Sequence, residues 1–122
     1  MGQSDSQDTP SIDEETWYII ADPIAENILQ SINTNDYQAY TRDFSQTLLN
    51  QVDTQSFTDV RDQIITAMGQ YISKEHSQVL EDDSYISVNY RARFEAGELI
   101  FRVVFKKDDE SHKVEGVWFN NP

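Results

Sequence analysis

Residues 85–105 read YISVNYRARFEAGELIFRVVF. Successive side chains of a strand point to opposite faces, and this stretch alternates cleanly on either side of Ala96-Gly97, a pair suited to a tight hairpin turn. With Ala96-Gly97 as the two-residue turn, Glu95 faces Glu98. Phe94 then pairs with Leu99, Ala92 with Phe101, Tyr90 with Val103 and Val88 with Phe105. Every pair beyond the first is apolar or aromatic. A one-residue slip would destroy that pattern, so the stretch reads as an antiparallel hairpin with one core face.

Downstream, DDES at 108–111 reads as a turn and 112–120 as a last strand. Placing Lys107 opposite His112 sets Phe105 against Val114, Val103 against Gly116 and Phe101 against Trp118. Upstream, 70–80 alternates weakly and carries Lys74, Glu75 and His76, as an exposed edge strand does. His76 is expected to face solvent there.

Before Gly69 the apolar period is helical. Trp17, Ile20, Ala21, Ile24, Ile28 and Ile32 form one stripe, and Ser11 with Glu14 has capping-box spacing. Pro23 interrupts the stripe. An interior proline removes a hydrogen bond, whereas one at the first helical position costs nothing. The expectation is a kink or break at Asp22, which would cap a main helix from Pro23 to about Asn33. Tyr37, Tyr40 and Phe44 mark a short helix after the NTND turn. Ser45 caps another carrying Leu48, Leu49 and Val52. Ser56 with Asp59 opens a fourth, with Phe57, Val60, Ile64, Ala67 and Met68 inward and Gly69 closing it. Helices followed by a four-stranded meander predict an α+β fold, with the helices on one face of the sheet. Residues 12–122 are expected to form one domain behind a polar leader at 1–11.

The composition narrows the function classes. Lys and Arg number 9 against 22 Asp and Glu, a formal charge of −13 in 122 residues. Such a surface keeps the chain soluble and repels nucleic acid and anionic membranes, so neither is an expected partner. Cysteine is absent and only two histidines occur, which excludes thiolate chemistry and a histidine-rich metal centre. The leader has the composition of a processed export remnant, a lipid-anchor spacer or a plain polar terminus. The acidic turns EDD (81–83) and DDESH (108–112) lack the ligand alternation and glycine of a calcium loop. No metal or cofactor is expected.

In the expected register Ile86, Val88, Tyr90, Ala92, Phe94, Leu99, Phe101, Val103, Phe105, Val114, Gly116 and Trp118 face inward. This set holds no carboxylate and no histidine, so the sheet offers no base for proton transfer. No catalytic residue is assigned. Trp17, Tyr37, Tyr40, Tyr90, Phe101 and Trp118 are the candidates for lining a pocket for a small apolar ligand. On the outer face Ile100, Val104, Val117 and Phe119 gather beside Arg91, Arg93 and Arg102. These seven are the candidates for a homodimer interface.

The stretches IAENILQSINTNDYQAYTRDFS (24–45), MGQYIS (68–73), the 85–105 hairpin and KVEGVWF (113–119) together carry a resemblance. They resemble the nuclear transport factor 2-like (cystatin-like) superfamily, and in detail the uncharacterised domain of unknown function 3887 family. The resemblance implies a cone of helices over a curved sheet with a pocket at its open end. It also implies dimerisation through the outer face, as in many superfamily members. It implies no activity, although superfamily enzymes such as ketosteroid isomerase place acids or histidines inside the cone. The leading expectation is therefore a non-catalytic interaction domain that self-associates. A small-ligand binder is the second, and an isomerase- or dehydratase-like enzyme the third.

Overall fold

The computed structural model describes residues 13–122. The polar leader and the Ser11 cap lie outside them. Helix α1 spans Glu14–Thr34, α2 Tyr37–Thr41, α3 Gln46–Leu49 and α4 Thr54–Met68. Strands β1 (Tyr71–Glu81), β2 (Tyr85–Phe94), β3 (Gly97–Lys106) and β4 (Val114–Asn120) follow. The strands form one antiparallel sheet in sequence order. The helices pack on one face of it, which is the expected α+β architecture.

Helix α1 runs unbroken through Pro23, against the expected break at Asp22. Pro23 and Ile19, one turn before it, are both on the exposed side of the helix. The carbonyl that loses its proline partner is on that exposed side, and the buried stripe of Tyr18, Ala21, Ala25, Ile28, Leu29 and Ile32 keeps the helix continuous. Its cap is Asp13, whose carboxylate accepts from the Thr16 backbone N–H at 3.2 Å and the Thr16 hydroxyl at 2.6 Å. Helix α4 likewise starts earlier than expected: Asp53 and Ser56 form a reciprocal capping box.

Gly69 ends α4 at φ 78°, a conformation that L side chains rarely adopt. A Cβ there would lie 2.5 Å from Glu95 Oε1. That carboxylate accepts from the Gln70 N–H at 2.8 Å, while Glu95 N donates to Gln70 O and Ala96 N to Met68 O. Gly69→Ala should accordingly lower stability by about 1–3 kcal/mol, read as a shift of the thermal midpoint. An unchanged midpoint would show that the hairpin tip gives way freely.

The same contacts relocate the β2–β3 turn. Residues 95 and 96 are its tip, Phe94 faces Gly97, and Tyr90 faces Phe101 rather than Val103. The register thus sits two residues from the expected one, because the tip is tied to the end of α4. A shift of two leaves every side chain on its expected face.

The last hairpin departs by one, which matters more. Phe105 faces Val114 as expected, but Val104 then faces Gly116, Arg102 faces Trp118 and Phe101 faces Phe119. A β-bulge at Glu115 accounts for the extra residue. The Val114 backbone is engaged from the other side, donating to Asp43 O and accepting from Ser45 N. The Ser45 hydroxyl donates to the Glu115 carboxylate at 2.9 Å. Beyond the bulge every side chain changes face. Val117 and Phe119 join the core side, with the Phe119 ring centroid 4.9 Å from that of Phe101. Trp118 points outward and is 50% exposed. Trp118 is therefore not part of the inner lining, and Val117 and Phe119 are not part of the outer face.

Candidate functional site

Three places have the chemistry to be considered. The first is a polar cluster between α1 and the edge strand β1. Tyr18, Asp22 and Glu26 recur every four residues and so form one stripe of α1. They meet His76 and Lys74 of β1, with Tyr90 of β2 behind. His76 Nε2 lies 3.1 and 3.0 Å from the two oxygens of Asp22, and the Tyr90 hydroxyl donates to Asp22 Oδ1 at 2.7 Å. The Tyr18 ring stacks on His76 with centroids 3.7 Å apart, and its hydroxyl donates to Asn89 O at 3.1 Å. One turn on, Lys74 Nζ and the Tyr71 hydroxyl both donate to Glu26 Oε1 at 2.7 Å.

His76 is exposed, as its edge position suggested, but on the helix side of β1, with half of its ring in water. The inner side of the sheet is free of acids and histidine only on β2, β3 and β4. At the β1 margin it meets both. The expected break at Pro23 concealed this cluster, because it made Asp22 a cap. The i, i+4, i+8 spacing of Tyr18, Asp22 and Glu26 was the available signal, and it counts only if the helix continues.

The cluster sets its own protonation. Burial first, then the bond to Asp22, pushes the Tyr90 phenol far above its ordinary range. Burial and the Glu26 carboxylate do the same for Tyr71, and burial raises Tyr18. Burial also pushes Glu26 up, but its bonds from Lys74, Gln30 and Tyr71 outweigh this and hold it below the usual value. A depressed carboxyl contributes stability above its unfolded value of about 4.3 and loses it as pH falls through the folded one. Glu26→Gln should therefore flatten the acid limb of the stability curve, measured by urea unfolding between pH 3 and pH 6. An identical limb in both proteins would assign acid loss elsewhere.

The second place is an open cleft of about 460 Å³ between α4 and the β3–β4 side of the sheet. Ile64 and Met68 line one wall; Leu99, Val117 and Phe119 line the other. Of the six expected lining residues, Tyr40 borders it, and Trp118 does so only from the cleft's edge, since its ring lies on the outer face. Trp17 packs instead on Phe105, with centroids 5.7 Å apart, and Tyr37 bonds to Val52 O. Tyr90 and Phe101 are sealed in the core. Burial pushes the Tyr40 phenol up to about 12.

The third is the outer sheet face, which no described helix covers. Arg91, Arg93, Ile100, Arg102 and Val104 are on it as expected, with Trp118 in place of Val117 and Phe119. The Trp118 indole lies over Gly116: a Cβ on that glycine would be 2.4 Å from the ring. Arg91 pairs with Glu98 at 3.1 Å.

Among the described residues no three His, Asp or Glu side chains are grouped to hold a metal. The acidic turns bond to their own backbones instead. Asp82 accepts from the N–H groups of Ser84 and Tyr85, and Asp109 from those of Ser111 and Lys113. No described helix is long and apolar enough to cross a membrane.

Residues 25–116 match a family described as protein of unknown function (DUF3887). The chain belongs to the DUF3887 family. The match takes in the C-terminal half of α1, all of the shorter helices and the sheet as far as Gly116, so this DUF3887 domain includes every residue of the β1 cluster except Tyr18 and Asp22. No curated protein matches the chain.

Proposed function

We propose that this DUF3887 domain is a non-catalytic interaction module that self-associates through the outer face of its sheet. The observation that carries the reading is the placement of Trp118. The Glu115 bulge turns this large side chain outward, and Gly116 gives it a flat bed beside Ile100 and Val104. Large aromatics held half exposed on an uncovered face are the side chains that dominate protein interfaces. A two-fold axis brings the same patch together twice, and burying one such side chain is worth roughly 1.5–3 kcal/mol. The non-catalytic part of the reading is supported by the inward side chains of β2 and β3, which include no carboxylate and no histidine to act as a base. Trp118→Asp with Val104→Asp should give a folded monomer by light scattering and circular dichroism. A wild type that is monomeric at micromolar concentration, or a double variant that is still dimeric, would sink the reading.

The α4–β4 cleft favours a second reading, a site for a small apolar ligand. Met68→Trp should fill it. A fluorescent apolar probe that binds the wild type and is lost in this variant would support the site, and equal binding would remove it.

A further inference from the structure

We propose that the cleft between α4 and the β3–β4 side of the sheet takes a neutral, mainly apolar molecule with one hydrogen-bond-accepting oxygen, and that the Tyr40 hydroxyl is its donor. This deepens the small-ligand reading of the cleft and rests on it. Tyr40 borders the cleft and is only 6% exposed. Its ring packs on Phe44 and Phe57, with centroids 5.2 and 4.6 Å away. Burial alone raises its phenol, with no hydrogen bond or charge contributing. Among the described residues the hydroxyl has no hydrogen-bond partner. The other three buried tyrosines differ: Tyr18 donates to Asn89 O, Tyr71 to Glu26 and Tyr90 to Asp22. A buried hydroxyl left without a partner is costly, so one beside an open cleft points to something that enters it.

The lining names the rest of the ligand's chemistry. No residue that lines the cleft is charged. An anion would be repelled by a chain of net charge −13 and would find no cation to receive it. A cation would leave water for a site without a carboxylate. The volume of about 460 Å³ is that of a small-molecule site. A phenol is a good donor and a weak acceptor, so the matching ligand group is a carbonyl or ether oxygen. A water alone would need two or more polar partners, and the two amides of the lining, Gln63 and Asn121, are both exposed.

The test titrates the full chain by calorimetry with three probes: acetylnaphthalene, its isostere isopropenylnaphthalene, in which a methylene replaces the ketone oxygen, and naphthoate, the carboxylate. The wild type is compared with Tyr40→Phe, and with Met68→Trp as the filled cleft. The wild type should bind the ketone, and should bind naphthoate at least about tenfold more weakly. In Tyr40→Phe the affinity for the ketone relative to the isostere should fall about tenfold, while the isostere binds both proteins alike. The thermal midpoint of unliganded Tyr40→Phe should not fall, because the hydroxyl removed had no partner to lose. A ketone preference that survives Tyr40→Phe, or a lowered midpoint without ligand, would overturn the donor role and leave the cleft as an apolar site. Naphthoate bound as tightly as the ketone would overturn the neutral class. A wild type that binds none of the probes, or Met68→Trp that binds them equally well, would overturn both this inference and the small-ligand reading.

Discussion

Phe119→Asp should destabilise the domain by about 3 kcal/mol or more, whereas Trp118→Asp should change the stability of the monomer by about 1 kcal/mol or less. The two residues are neighbours in sequence and similar in chemistry, so the contrast comes from the bulge alone. Phe119 packs on Phe101, which is fully buried, and Val117 beside it faces Val103. A carboxylate at 119 would replace a partly buried ring packed on Phe101 at the apolar wall of the cleft, with no described cation to receive it. Trp118 sits over Gly116 with half of its surface in water. Urea unfolding at a concentration below dimerisation measures both. Equal costs for the two, or a larger cost at 118, would place the register one residue away from that described and return Phe119 to the outer face. The same pair separates packing from association. The 118 variant should lose the proposed self-association while staying folded, and the 119 variant should lose the fold.

Above pH 10 the protein should lose stability steeply. Tyr18, Tyr40, Tyr71 and Tyr90, four of the six tyrosines, have phenols raised above the ordinary value. A raised group keeps its proton in the folded state, so its contribution is complete below the unfolded value of about 10 and is lost as pH rises beyond it. Each such group contributes a slope of at most about 1.4 kcal/mol per pH unit. Tyr40, pushed up to about 12 by burial, should by itself account for roughly 2–3 kcal/mol between pH 10 and pH 12. The other three act in the same direction. Phenolate absorbance followed with circular dichroism makes the test: at least four phenols should ionise only as the fold is lost. Ionisation of all six with the far-ultraviolet signal intact would refute the buried network around Asp22 and Glu26. Tyr90→Phe should also lessen the alkaline loss, since it removes the phenol bonded to Asp22.

The class of fold, the order of elements and the face of each residue in β2 and β3 were legible from the residues alone. Period-two alternation over 85–105 is dense enough that only a one-residue error would have been visible in it. The actual error at that turn was two residues, to which faces are blind. Helix positions were legible wherever an apolar stripe met a cap. The family membership and the acidic, cysteine-free character were likewise in the chain.

The rest depended on contacts between distant segments. Whether Pro23 breaks α1 depends on where the freed carbonyl points, and that is set by which side of the helix is packed. The β1 cluster followed from that choice, because Asp22 can meet His76 and Tyr90 only on a continuous helix. The faces of Val117, Trp118 and Phe119 depend on a bulge at Glu115. Its cause is the segment 43–45, which pairs with Val114 from the far edge and engages Glu115 through Ser45. These partners are some 70 residues apart in sequence. A strand pattern records only that large side chains alternate. It carries no mark of where one extra residue enters the ladder, because that residue is selected by backbone groups outside the strand.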